Sequence, residues 1–135
     1  MVVLIDTNVV IDFLLKRENF CEKAEIIFDR CANGTLFGCI AINTISDIFF
    51  ILRKIYSAPQ RKSMLNDLCE FIRVIGLGHE DAVAAITSEK FDDLEDCLQN
   101  ECAEKAGADY IITRNTKDFA NSIIPAVTPS DFLRL

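Results

Sequence analysis

Histidine occurs once in the chain, at His79, and no serine or cysteine motif pairs with it, so triad chemistry has no foothold here. His79 reads as a loop or cap residue. The six cysteines (Cys21, Cys31, Cys39, Cys69, Cys97 and Cys102) include no C-x-x-C pair. Scattered mostly through apolar patterns, they read as reduced core residues, against both a disulfide framework and a zinc site. Gly76-Leu77-Gly78 is too short to cradle a phosphate, and neither a Walker-type nor a dinucleotide fingerprint occurs. Linkers rich in Pro, Gly or Ser, repeats and low-complexity tracts are missing, so one domain over residues 1–135 is expected. No basic stretch precedes the first apolar run, and no run approaches the length of a membrane span. The expectation is a cytoplasmic protein without a membrane partner. Positive charge is in deficit: 14 Lys and Arg face 21 Asp and Glu, for a net charge of −7. That excludes broad attraction to a nucleic-acid backbone and leaves only local Lys/Arg clusters or bridging divalent cations.

What is present is apolar and periodic. Half of the residues are hydrophobic, enough at 135 residues for a core that needs no staple. Val2-Val3-Leu4-Ile5 is a four-residue, mostly β-branched run, which predicts a central parallel strand buried on both faces and ended by Asp6. A short helix over residues 9–15 and a longer one over about 20–32 follow, the second closed by Asn33-Gly34. A second strand is expected over 35–42, then a helix opened by Asn43-Thr44 and running from Ile45 to about Tyr56, apolar nearly all round. Pro59 starts a helix to about Ile72 with Met64, Leu65, Leu68, Cys69 and Ile72 as its buried stripe. A short strand at 74–77, a helix at 82–87, a helix carrying Leu94, Cys97, Leu98, Cys102 and Ala106, a strand at 108–113, a turn at 114–119, a strand near 125–127 and a closing helical turn complete the order. Alternating strands and helices predict an α/β fold with a parallel sheet covered on both faces.

Acidic and amide side chains recur where such a sheet would present its carboxyl ends. Asp6 ends the first strand, Asp47 falls in the first turn after the second, Asp93 and Asp96 open the late helix, and Asn115 and Asp118 follow the strand at 108–113. Ligands bind beyond the carboxyl ends of parallel strands, so these groups are placed to share a cleft. Two carboxylates about 4 Å apart repel by roughly 4 kcal/mol at an effective dielectric near 20, and such a cluster needs a cation. Oxygen ligands without Cys or His select Mg²⁺ or Mn²⁺ over zinc, and those ions suit phosphodiester hydrolysis. Local readings compete residue by residue. Asp6 suits a helix N-cap, Asp47 a capping box with Thr44, Asp93 and Asp96 the helix dipole, and Asp118 a turn before Phe119.

Taken in order, Leu4-Ile5-Asp6-Thr7-Asn8, Thr44-Ile45-Ser46-Asp47-Ile48, Asp93-Leu94-Glu95-Asp96-Cys97 and Gly107-Ala108-Asp109-Tyr110-Ile111-Ile112-Thr113-Arg114-Asn115 with Lys117-Asp118-Phe119 resemble the PIN-domain ribonucleases. That family includes the toxins of VapBC-type toxin–antitoxin modules, and the resemblance spans essentially the whole chain. It implies a three-layer α/β/α fold and endonucleolytic RNA cleavage with Mg²⁺ or Mn²⁺. Asp6 matches the family's first acid and Asp96 the acid of the late helix. Asp47 stands where Glu is usual, and Asn115 where many members have Asp. The implied catalytic set is Asp6, Asp47, Asp96, Asn115 and Asp118. Asp6, Asp96, Asp47 and Asp118 are its metal ligands, and Asp93, Asn8 and Thr113 support them. RNA is the implied substrate, and the apolar helix over 45–55 with the helix that follows it predicts homodimerisation or a small antitoxin lying in their groove. Lys16-Arg17, Arg53-Lys54 and Arg61-Lys62 read first as solvated face, although the last two pairs flank Pro59 and could guide an RNA backbone. Asn115 also allows a second reading, a PIN-like module that has lost cleavage and binds RNA or protein. A third, a phosphatase or receiver domain phosphorylated on Asp6, wants a second Asp where the chain has Asn8.

Overall fold

The computed structural model describes residues 1–135 and contains one five-stranded, wholly parallel sheet with helices on both faces. Its strands are β1 (Val2–Ile5), β2 (Phe37–Ala41), β3 (Arg73–Ile75), β4 (Tyr110–Ile112) and β5 (Ala126–Val127), in the spatial order β3-β2-β1-β4-β5. The helices are α1 (Thr7–Leu14), α2 (Cys21–Ala32), α3 (Ile42–Ile51), α4 (Ala58–Leu68), α5 (His79–Thr87), α6 (Leu94–Ala106) and α7 (Pro129–Phe132). Single 3₁₀ turns follow α3 at Leu52–Lys54 and β4 at Thr116–Phe119. The expected α/β/α architecture is present, and no helix is long and apolar enough to cross a membrane.

The run at the N-terminus forms the middle strand because both of its faces find apolar cover. Val3, Ile5, Ile40 and Ile112 join a core of 18 buried residues with Ile27, Phe28, Leu65 and Phe132. Leu4, Cys39, Ala41 and Ile111 point the opposite way, into a smaller core with Cys102, Ala103 and Phe119. The alternation of a strand is thus hidden in the sequence, where every residue is apolar.

Several boundaries differ from expectation for local reasons. Helix α3 begins at Ile42, three residues before the expected start, because Ala41 is extended and leads directly into the turn. Asp47 therefore lies in the second turn of α3, and the capping box with Thr44 does not form. Thr44 is instead fully buried, its hydroxyl paired at 2.8 Å with that of Thr7 across α1 and α3. Nor are α3 and the 3₁₀ turn after it buried all round: Ile48 and Leu52 are enclosed, whereas Ile42, Phe50, Ile51 and, just past the turn, Ile55 stand exposed. Helix α4 starts with a capping box between Ser57 and Gln60 and ends at Leu68, which leaves Cys69 exposed rather than in the stripe. In α6 the buried side is carried by Cys97, Gln99, Asn100, Cys102 and Ala103, while Leu94 is half exposed. Gly107 ends that helix in the left-handed region, φ +64, as its place after the last apolar residue predicts.

Candidate active site

In the sheet order, the chain leaves β1 toward β2 on one side and reaches β4 on the other only after crossing over, so β1 and β4 flank the switch point of the sheet. A crevice opens at the carboxyl ends of such a pair. Asp6, one residue beyond β1, stands over it. It occupies the N-cap position of α1 but its side chain makes no capping hydrogen bond. Instead the carboxylate accepts from the Thr113 hydroxyl at 2.7 Å and the Gln99 side-chain amide at 2.9 Å, with Asp6 only 5% exposed. Thr113, just past β4, is itself fully buried, and its hydroxyl also accepts from the Asn115 N–H at 3.0 Å. One hydroxyl therefore fixes both the acid of β1 and the turn after β4.

A cavity of about 380 Å³ lies in front of Asp6. Asp47 from α3, Asp93 and Asp96 from the start of α6, and Asn115 and Asp118 from the turn after β4 line it, with Asn8 from α1. The six acidic and amide positions singled out in the sequence are thus brought to one hollow together with Asn8, and Thr113 supports them from behind. Asp93 also serves its local role, capping α6 by accepting from the Asp96 N–H at 3.1 Å. Glu95 and Gln99 line the same cavity and escaped the sequence reading. Glu95 and Gln99 are one turn apart on α6, and Gln99 follows Asp96 by three, a spacing that groups the three on one side without showing what that side faces. Phe50 and Ile51 give the hollow an apolar rim.

The electrostatics are those of crowded acids. Burial pushes the Asp6 carboxyl up, against the hydrogen bonds from Thr113 and Gln99 that favour its charge, and Asp118 adds repulsion. Asp96 is pushed up to about 7, first by burial and then by the charges of Asp93, Asp118 and Asp6. Glu95 also rises to about 7, chiefly through the neighbouring Asp47 side chain and then through burial. At neutral pH this hollow needs a proton or a cation to balance it.

A divalent ion fits the donor set. The donors are carboxylate and amide oxygens without Cys or His, the hard-ligand pattern of Mg²⁺ and Mn²⁺. Asp47 Oδ2 and Gln99 Oε1 are buried without a hydrogen-bond partner, and both residues line the cavity. Buried acceptors left unpaired are uncommon and mark places where an ion or donor belongs. No three acidic side chains close on one point tightly enough to hold an ion by themselves. Mg²⁺ takes one or two carboxylates and keeps several waters that a substrate phosphate can replace.

Asp12, one turn beyond Asn8 on α1, is 1% exposed and is held by Arg114 at 2.8 Å and Arg17 at 3.5 Å. It ties α1 to the turn after β4. Arg53 and Arg61 are engaged locally: each donates to a carbonyl of α3 and lies over a phenylalanine of it, Phe50 and Phe49.

A family model for the PIN domain matches residues 2–117. Among solved structures, a toxin–antitoxin complex from Klebsiella pneumoniae is similar at 27% identity and a TM-score of 0.67, covering 94% of this chain and 97% of that one. VapBC2 from Rickettsia felis, bound to a DNA fragment from their promoter, has a TM-score of 0.67 at 14% identity, covering 95% and 98%. VapBC-1 from nontypeable Haemophilus influenzae has 0.67 at 15%, covering 96% and 99%. The last two likenesses are of fold alone. No curated protein sequence matches the chain. With the family model running from the first strand through the turn that carries Asn115, the chain belongs to the PIN domain family, a family of nucleases.

Proposed function

We propose that this protein is a metal-dependent endoribonuclease of the cytoplasm and the toxin of a toxin–antitoxin pair. The observation that carries the reading is the cavity in which the buried Asp6 shares space with Asp47, Asp96 and Asp118, whose mutual repulsion a divalent ion relieves. Asp6 and Asp96 are the principal ligands, and Asp47 and Asp118 complete the set by holding the ion's waters. When bound, Mg²⁺ or Mn²⁺ supplies the Lewis acid that polarises the scissile phosphate and offsets charge on the leaving oxygen. Thr113 and Gln99 hold the Asp6 carboxylate in one orientation, so no reorganisation is needed when substrate arrives. Asn115 and Asp118 orient the attacking water. Asp93 and Asn8 support the ligands.

The test is cleavage of RNA in Mn²⁺ by wild-type protein and by Asp6→Asn. Wild type cleaves, EDTA stops it, and Asp6→Asn lowers kcat by at least about a hundredfold. Activity of Asp6→Asn equal to wild type removes Asp6 from the mechanism.

Asn115 favours a second reading, a PIN-like module that binds RNA or protein without cutting. Calorimetric titration separates the two: heat of Mn²⁺ binding supports the nuclease, and none at millimolar metal supports the module. For partners, the similar Klebsiella protein occurs in a toxin–antitoxin complex. The exposed Ile42, Phe50, Ile51 and Ile55 provide an apolar surface for an antitoxin or a second copy of the chain. Light scattering that finds only monomer at high concentration, with no small protein co-purifying, counts against both.

A further inference from the structure

A second cavity, of about 390 Å³, lies beside the acidic one, and Asn115 lines both, standing between the two. Their chemistry is opposite. The second is lined by Lys23 and Arg114, and its one acid, Asp12, is 2% exposed at the side chain and already paired with two arginines. Lys23 makes no ion pair, Ser130 and the Asn19 amide have no hydrogen-bond partner within the protein, and all three border this space. Phe20, 43% exposed, lines it too, with the Arg114 guanidinium stacked 4.1 Å from the ring centre. Asp12 holds that guanidinium in place from behind, through Nε at 2.8 Å and Nη2 at 3.3 Å.

A flat aromatic and guanidinium pair, an unpaired lysine and free amide and hydroxyl groups form the combination that receives an unstacked base with its phosphate. We propose that this cavity, built on Phe20, Lys23 and Arg114, binds the nucleotide of single-stranded RNA that flanks the phosphate being cut. The proposal rests on the nuclease reading above. It also answers a problem which that reading raises. A chain of net charge −7 whose reactive centre is lined by acids repels a polyanion, and a cationic subsite one residue away supplies the attraction that the centre lacks. A strand passing Asn115 meets cation on one side and metal-balanced acid on the other.

The experiment measures binding of a fluorescein-labelled hexanucleotide RNA, by anisotropy in Mg²⁺ over a range of salt, to the protein carrying Asp6→Asn, with the RNA checked intact on a gel. In that background Phe20→Ala weakens binding about tenfold, while Phe20→Trp, which keeps the stack, binds at least as tightly. Lys23→Ala weakens binding severalfold and makes the salt dependence shallower by about 0.7 in slope, one phosphate contact. Lys62→Ala, at the basic pair on α4, changes neither quantity. Unchanged binding in Phe20→Ala and Lys23→Ala, loss that falls on Lys62→Ala instead, or failure of the hexanucleotide to bind overturns the subsite. The nuclease reading fails separately. If RNA binding needs Phe20 and Lys23 but wild type never cleaves in Mn²⁺, the subsite stands and the nuclease falls; if wild type cleaves and neither residue matters, the reverse holds.

Discussion

Thr113 is the residue through which the site is held together. Its hydroxyl joins Asp6 to the turn bearing Asn115, and both Thr113 and Asp6 are buried. Replacing Thr113 with Val leaves a buried carboxylate with the Gln99 amide as its one remaining side-chain donor. Such a loss costs about 1–3 kcal/mol, read as a lower urea midpoint. An unchanged midpoint shows that the fold does not depend on the hydrogen bond between Thr113 and Asp6. Asn115 permits a change in the other direction. Asn115→Asp adds a charged oxygen at the cavity wall, and Mn²⁺ affinity rises by roughly tenfold if position 115 faces the ion, because affinity for hard cations follows ligand charge. Equal affinity by calorimetry takes Asn115 away from the metal. At this scale the sequence was legible where an acid ended an apolar run, as at Asp6, or an amide or acid followed one closely, as at Asn115 and Asp118. Gln99 and Glu95 were not legible. Their value comes from facing Asp6 and Asp47 across the fold, and no local pattern encodes which helix face meets a strand end 93 residues away.

Helices α1 and α3 meet through a buried polar contact, the Thr7–Thr44 hydroxyl pair. Thr44→Val strands the Thr7 hydroxyl in the interior and destabilises by about 1–3 kcal/mol, whereas Thr7→Val together with Thr44→Val loses less than the sum of the single changes. Additive losses in chemical denaturation mean that the two hydroxyls do not depend on each other. Strand β2 approaches α2 equally closely. A Cβ placed on Gly38 would stand 2.6 Å from Cys31 Sγ and 2.8 Å from Ile72 Cδ1. Gly38→Ala therefore costs about 1–3 kcal/mol by overpacking, and Cys31→Ala added to it recovers part of the loss. The expected elements all occur in the expected order. Their ends were harder to read, because a boundary is decided by one residue's dihedral angles and partners. The chain turns helical at Ile42 although Asn43-Thr44 looks like a better start, since Thr44 is needed as a buried partner for Thr7.

For the molecule as a whole, strand and helix alternation foretold the parallel sheet, yet the strand order β3-β2-β1-β4-β5 is a property of crossovers that alternation leaves open. That order sets acids from β1, α3, α6 and the β4 turn around one hollow, and the resulting strain is global and pH-dependent. Asp96 and Glu95 both titrate near 7 in the folded chain, above their ordinary values of 3.8 and 4.5. A carboxyl whose folded pKa is raised binds its proton more tightly when folded. Its contribution to stability is fully present below the ordinary value, shrinks as pH rises through the window from about 4 to 7, and is gone above it. The metal-free protein is therefore more stable at pH 5 than at pH 8. A divalent ion reverses the sign of the preference, since it binds the ionised carboxyls and displaces their protons. Mn²⁺ consequently raises Tm more at pH 8 than at pH 5, and binding near pH 6.5 releases protons, seen as a binding heat that depends on the buffer's ionisation enthalpy. The same Tm gain at both pH values, with heats independent of buffer, would mean that the ion does not bind where these acids meet.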